Sequence, residues 1–161
     1  MISEGDRLPD ATFGTMTEAG PGQRTAAEVF DGRTVALMAV PGAFTPTCTN
    51  AHLPGFVEQA EALKGKGVDE VACVAVNDLF VLDAWAEKVG AKDKVAMLAD
   101  GSGEFAKAIG MELDLGERGL GTRSKRYAMI VEDRTVKHLL VEDNPGQAQD
   151  SSADALMAKM G

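Results

Sequence analysis

The chain has 161 residues, 45% of them hydrophobic, a formal net charge of −9 and two cysteines. There is apolar material for one buried core, and the length falls short of two ordinary domains, so residues 1–161 are expected to form a single domain. The acidic balance argues against a nucleic-acid partner, whose phosphates need clustered Lys and Arg, and no stretch nears the roughly 20 apolar residues of a membrane-spanning helix.

Met1–Asp10 carries Glu4, Asp6 and Arg7 without an apolar run behind them, which matches neither a secretory signal nor a membrane anchor. A cytoplasmic protein is the expectation, with Cys48 and Cys73 resting as thiols in a reducing compartment. Two cysteines so far apart make neither a disulfide framework nor a zinc site. Thr12–Met16 reads as a peripheral strand and Arg24–Phe30 as a short turn of helix. Thr34–Val40 (TVALMAV), Glu70–Val76 (EVACVAV) and the shorter Val95–Ala99 are nearly unbroken apolar runs, each followed by a turn pair. Such runs suit strands buried on both faces of a parallel sheet. Between them, Leu53, Phe56, Val57, Ala60 and Leu63 recur at helical spacing ahead of Gly65 and Gly67, and Val81, Trp85 and Val89 do so ahead of Gly90. Strand, helix, strand, helix, strand implies right-handed crossovers and a sheet with helices on its faces. Tyr127–Glu132 and Thr135–Glu142 flank Asp133-Arg134 and read as an antiparallel hairpin, which makes the sheet mixed. Asp150 or Ser151 is placed to cap a last helix that buries Leu156, Met157 and Met160.

Chemistry concentrates in Pro41–Cys48 (PGAFTPTC), which leaves a buried strand and enters a helix, the place where parallel α/β sheets hold ligands. With Thr45 as N-cap and Pro46 as first helical residue, Cys48 falls in the first turn, where an N-cap hydroxyl serves the backbone N–H. Unpaired N–H groups and the helix dipole favour thiolate over thiol at such a position. Pro41 and Pro46 fix φ and stiffen the turn. Taken alone, a cysteine at a helix start is more often structural than catalytic, and the same residues describe an ordinary stiff strand-to-helix turn.

Pro41, Thr45 and Cys48 resemble the Pro-x-x-x-Thr-x-x-Cys signature of peroxiredoxins, and PGAFTPTC followed by HLPGFVEQAEALKGKGV and VAVND is similar to the peroxiredoxin-5 subfamily, called type II in plants. The resemblance spans the chain. It implies a thioredoxin-like fold, an α/β architecture with a mixed central sheet flanked by helices, in agreement with the element order. It also implies a thiol peroxidase that needs no cofactor and no metal. In that chemistry the Cys48 thiolate attacks the terminal oxygen of hydrogen peroxide or an alkyl hydroperoxide and becomes a sulfenic acid. Thr45 hydrogen-bonds the peroxide, an arginine holds thiolate and peroxide, helix-start N–H groups take up developing charge, and Pro41 shields the pocket. Lys125-Arg126-Tyr127 before AMIVED matches the family's arginine pattern, which makes Arg126 the candidate and Arg123 its competitor. By charge pattern alone, Arg123, Lys125 and Arg126 form either a small anion patch or, more often for such a pattern, a solvated basic cluster. His52 stands four residues after Cys48 on the same helix face, where the family's HLPG segment has a histidine, and takes a supporting role. On the residues alone it also reads as a helix-surface histidine bonded to a neighbour.

Some relatives in this subfamily carry a resolving cysteine in the loop before the last helix. Here that loop is Asp143–Ser152 (DNPGQAQDSS), which has none. A one-cysteine mechanism follows, with the sulfenic acid met by an outside thiol. Glutathione with glutaredoxin is the expected reductant and thioredoxin the alternative. Cys73, inside VACVAV, reads as a buried small hydrophobe, and His138 and Met111 read as structural. The family further suggests a homodimer packed near the active-site loops, with Phe44, Phe80 and Leu120 as apolar contacts. Two rival readings keep Cys48 reactive. One is an acyl-transfer hydrolase with His52 as base, which leaves Arg126 and the Thr45–Cys48 spacing without a role. The other is a peroxide sensor that passes its oxidation to a protein partner.

Overall fold

A strand apolar on both faces must lie inside a sheet that is covered on both sides, and the apolar runs of this chain do so. The computed structural model describes residues 1–161. Its strands are β1 (Thr12–Thr17), β2 (Gly20–Thr25), β3 (Thr34–Val40), β4 (Glu70–Ala75), β5 (Ala96–Ala99), β6 (Glu112–Leu115), β7 (Gly121–Ser124), β8 (Tyr127–Glu132) and β9 (Thr135–Val141). Seven of them form one sheet in the order β2-β1-β5-β4-β3-β8-β9, while β6 and β7 pair as a separate ribbon. The central neighbours β3, β4 and β5 are parallel and the remaining pairings antiparallel, so the sheet is mixed.

Successive side chains in the central strands serve two cores in alternation, as a period of two requires. Ala36, Met38, Val40, Cys73, Ala128 and Ile130 pack on one face with α2 (Leu53–Gly65), α3 (Leu79–Val89) and α5 (Ala153–Met160). Val35, Leu37, Ala39, Val74, Met129 and Val131 pack on the other with α1 (Ala26–Phe30) and α4 (Glu104–Ala108). This double coverage is why TVALMAV and EVACVAV read as unbroken apolar runs.

Several boundaries differ from the sequence reading. Arg24 and Thr25 close β2 instead of opening a helix, because Thr25 and Glu28 form a capping box that starts α1 at Ala26. Val76 and Val95 fall just outside β4 and β5. The last helix is capped by Ser152, whose hydroxyl accepts from the Ala155 N–H at 3.1 Å, and neither Asp150 nor Ser151 takes that place. Glu142 leaves the hairpin after Val141, and its side chain turns to the following loop. The hairpin turn itself uses Asp133 and Arg134, both at positive φ (46° and 68°), the backbone of a two-residue I′ turn. No helix is long and apolar enough to cross a membrane.

Candidate active site

β3 and β4 run parallel, so their C-terminal ends open on the same edge of the sheet. The segment after β3 is held there by the Ala43 N–H, which donates to Asn77 Oδ1 of the segment after β4 at 3.0 Å. Pro41 and Gly42 are buried, Phe44 stands at φ 65° and is 48% exposed, and helix begins at Pro46. A phenylalanine in left-handed backbone carries a steric cost, and here it falls in the tight loop beside the cysteine.

Cys48 opens a π-helical turn (Cys48–His52) in which the Leu53 N–H reaches back to the Cys48 carbonyl. Pro54 follows at once. In a regular helix its ring would collide with the carbonyl four residues back, and a widened turn just upstream relieves such a collision. Trp85 of α3 pins the turn from the side, donating from Nε1 to Thr49 Oγ1 at 3.0 Å.

The structure brings Cys48, His52 and Arg126 into direct contact. Arg126, the residue before β8, is buried with 2% exposure. It donates from Nη2 to Cys48 Sγ at 2.9 Å, from Nη1 to His52 Nδ1 at 3.0 Å and from Nε to the Pro145 carbonyl at 3.0 Å. No carboxylate forms an ion pair with it. Arg123 has no hydrogen bond to Cys48 and stands beside Gly42 of the loop before it, its Nε and Nη1 donating to the carbonyls of Leu120 and Val76 at 2.8 and 3.2 Å. Proximity in sequence made the two arginines competitors, but Arg123 belongs to β7 of the separate ribbon and Arg126 precedes β8 of the main sheet. The cluster Arg123, Lys125 and Arg126 is therefore not a solvated patch, because Arg126 points inward to the sulfur.

Thr45 precedes the first helical residue, as read from the sequence, but its hydroxyl does not serve the Cys48 N–H. It donates to the Gly42 carbonyl at 2.7 Å, while the Thr45 carbonyl accepts from the Thr49 N–H at 3.0 Å. The tight loop takes the hydroxyl proton inward and leaves the oxygen lone pairs free to accept.

His52 is buried with 1% exposure, so it is no surface histidine. Nε2 lies 2.8 Å from the Ser151 carbonyl, which only accepts, so Nε2 carries the proton and Nδ1 accepts from Arg126. Burial first, and the Arg126 cation besides, pull its pKa from 6.5 down to about 4, against the Ser151 carbonyl bond. A neutral imidazole whose free nitrogen is occupied by a guanidinium is not poised to take a proton from Cys48, which removes the base that an acyl-transfer hydrolase requires. Ser151 in turn donates from Oγ to Glu142 Oε2 at 2.6 Å, and its N–H donates to the same carboxylate.

Cys73 is buried in β4 on the same core face as Cys48, and burial pushes its thiol up. His138 stands on β9, 3.9 Å from the Glu4 carboxylate and outside the Cys48 cluster. No group of three His, Cys, Asp or Glu side chains converges in metal-binding fashion.

Residues 3–157 match the Redoxin family. The chain is 44% identical to the chloroplastic peroxiredoxin-2E of Arabidopsis thaliana, an alignment covering 98% of this chain and 69% of that one. Its structure superposes on a reduced Prx3 from Vibrio vulnificus in complex with hydrogen peroxide with a TM-score of 0.94, at 46% identity and over 100% of both chains. The peroxiredoxin 5 of Alvinella pompejana gives a TM-score of 0.87 at 34% identity, over 99% of this chain and 98% of that one. The chain belongs to the peroxiredoxin family. This peroxiredoxin falls in the peroxiredoxin-5, or type II, subfamily, has the thioredoxin-like fold and is a thiol peroxidase.

Sequence reasoning missed two groups of residues in this peroxiredoxin. Ser151 and Glu142 stand behind His52, and Pro145 and Gly146 hold the site from the loop, Gly146 by accepting from Thr47 Oγ1 at 2.8 Å. The contacts of Ser151 and Gly146 bridge 99 positions along the chain. In the sequence that loop stands out only for its missing cysteine and for Asp150 and Ser151 as candidate helix caps.

Proposed function

We propose that this peroxiredoxin reduces hydrogen peroxide and alkyl hydroperoxides by a one-cysteine mechanism centred on Cys48 and is returned to the thiol by glutathione and glutaredoxin. The observation that carries the proposal is the bond from Arg126 Nη2 to Cys48 Sγ, 2.9 Å long and fully buried. A fixed guanidinium beside sulfur stabilises negative charge there and on the peroxide oxygen that departs as the O–O bond breaks. The Cys48 thiolate attacks the terminal peroxide oxygen, the O–O bond breaks, and the departing oxygen takes a proton to leave as water or an alcohol. Sulfur loses two electrons and becomes sulfenic acid. Thr45 Oγ, with its own proton committed to Gly42, accepts a hydrogen bond from the peroxide. Pro41, buried behind the loop, keeps water from the reacting atoms, and His52 supports Arg126.

Glutathione then displaces water from the sulfenic acid to form a mixed disulfide, and a glutaredoxin thiol takes over the glutathione and frees Cys48. Two features support an outside reductant. The loop Asp143–Ser152 has no cysteine, and Cys73 is buried in the sheet between β3 and β5 with its thiol held protonated by burial. We further propose one domain, acting in the cytoplasm as a homodimer. Phe44 and Phe80, 48% and 61% exposed beside the site, and the half-buried Leu120 supply an apolar face for the second copy.

Intact-mass spectra after one equivalent of peroxide, and again after glutathione, test the reaction. The parent is expected to gain one oxygen that glutathione converts to a mixed disulfide, while Cys48→Ser stays unchanged. A parent that loses two hydrogens, or that joins covalently to a second chain, would sink the one-cysteine mechanism. A mixed disulfide that thioredoxin opens and glutaredoxin does not would transfer the reductant's role to thioredoxin.

A further inference from the structure

The β8–β9 ladder pairs Tyr127 with Val141, so Arg126 and Glu142 leave the sheet side by side. The Glu142 N–H donates to the Arg126 carbonyl at 3.0 Å. A buried carboxylate so close to a buried guanidinium would ordinarily neutralise it. Here the carboxylate turns away, to the hydroxyl and N–H of Ser151. Burial acts to raise the Glu142 carboxyl, but the Ser151 hydroxyl and the N–H groups of Ser151, Asp150 and Gln149 outweigh it and hold the group ionised.

The direction of every proton in this cluster follows from what each atom is able to do. Glu142 only accepts, so the Ser151 hydroxyl gives its proton to the carboxylate. Its lone pairs then face His52 Nε2, 3.4 Å away, beside the Ser151 carbonyl at 2.8 Å. Both are acceptors, so Nε2 must carry hydrogen and Nδ1 must be bare. A bare Nδ1 is the only form that receives the Arg126 Nη1–H, and with Nη1 and Nε fixed, Nη2 is aimed at the sulfur. All donors run one way, from Arg126 through His52 and Ser151 to Glu142, an arrangement in which each bond polarises the next.

We propose that Glu142 and Ser151 are positioning residues for the peroxidase reaction, fixing the His52 tautomer that holds Arg126 against Cys48. The inference rests on the Cys48–Arg126 chemistry proposed above. Replacing Glu142 with an apolar side chain releases both the N–H and the hydroxyl of Ser151, so the Ser151 carbonyl is no longer held on Nε2 and the ring proton can pass to Nδ1, which sets an N–H against the Arg126 N–H. A glutamine at this position keeps one acceptor oxygen within reach of Ser151 and restores the direction of the chain.

The experiment compares the parent, Glu142→Leu, Glu142→Gln and Ser151→Ala in two measurements. Stopped-flow fluorescence of Trp85, which is bonded to Thr49 beside Cys48, gives the rate with peroxide. Nitrogen-15 spectra of the reduced proteins give the ring tautomer, with His138→Asn to assign the other of the two histidines. Glu142→Leu is expected to lose about ten- to a hundredfold in rate, the loss that a displaced catalytic group brings, together with the Nε2–H signature. Ser151→Ala removes the hydroxyl anchor but keeps the carbonyl on Nε2 and the N–H on Glu142, so it is expected to lose less in the same direction, and Glu142→Gln to recover most of both. Parent-like rate and tautomer in Glu142→Leu and Ser151→Ala overturn the proposal, as does a rate loss that leaves the tautomer in place. If Glu142→Leu does not fold, Glu142→Ala decides by the same two readouts. A parent that does not react with peroxide at all indicts the Cys48 reading itself, which separates the two failures.

Discussion

Two arginines are buried at opposite ends of the β8–β9 hairpin, and they are treated differently. Arg134, in the turn, is 6% exposed; it donates to the Leu8 carbonyl and is paired with Asp10 and, at 3.7 Å, with Asp31. The bond and the charge of Arg134 hold the Asp10 carboxyl below its usual range. Arg126, at the other end, is 2% exposed and has three neutral or sulfur partners and no carboxylate. An arginine that serves the fold is neutralised by acids. The other is denied them, although Glu142 is one turn of a side chain away, and its missing anion is the one that the proposed chemistry places on Cys48. Leaving a buried cation unpaired is costly, and the fold meets that cost at one position only.

The largest expected effect comes from exchanging the roles in this pair. Arg126→Leu should lose about a hundred- to a thousandfold in peroxide rate, the scale of one removed charge-stabilising donor, with stability unchanged or raised. Arg134→Leu should keep the rate and lose about 2 kcal/mol of stability, the size of hydrogen bonds to charged groups. Rate constants and urea midpoints on both variants read the contrast, and similar losses on both axes in both variants would dissolve it.

A smaller effect concerns acid. The unfolded His52 takes its proton near 6.5 and the folded one resists until about 4. Between those values the unfolded chain binds more protons, so stability falls as pH drops through that window, by roughly 3 kcal/mol at most. His52→Asn should lack this slope. Urea midpoints at neutral and mildly acidic pH decide it, and parallel curves for the two proteins would show that His52 is not buried neutral. The smallest effect belongs to Gly42. A Cβ there would stand 3.2 Å from Arg123 Nη1 and 3.3 Å from Thr45 Cγ2. Gly42→Ala should therefore press on the Thr45 loop and slow the peroxide reaction about three- to tenfold. An unchanged stopped-flow rate would mean that Arg123 yields instead, and that the Arg126 side of the site alone sets the geometry.

The two regions also differ in how far the sequence reveals them. Thr34–Val40 and Tyr127–Glu132 are legible to the residue because burial on both faces writes a continuous apolar run. β2 is not, since GPGQRT is an edge strand with alternating exposure, where proline and glycine are tolerated. Cys48, Thr45 and Pro41 stand out through the family motif and Arg126 through the family's arginine pattern, while the residues alone read as a stiff turn and a solvated basic cluster. What escaped was direction. The Thr45 hydroxyl turns inward to the Gly42 carbonyl, a contact inside the tight loop that residue types alone do not specify. The Ser151–His52 contact depends on the placement of a loop that local periodicity says nothing about.

The π-helical turn at Cys48–His52 has a consequence for length. It holds one residue more than an α-helical turn, so Cys48 and the apolar stripe of Leu53, Phe56, Ala60 and Leu63 are out of phase by about 100° relative to a continuous α-helix. The stripe is fixed by the core, and the sulfur by Arg126. The surplus residue is what reconciles the two angular demands, and its identity matters less than its count. In this helix, catalysis is encoded partly as a number of residues, a quantity that substitution scans leave untouched and that only insertions or deletions reach.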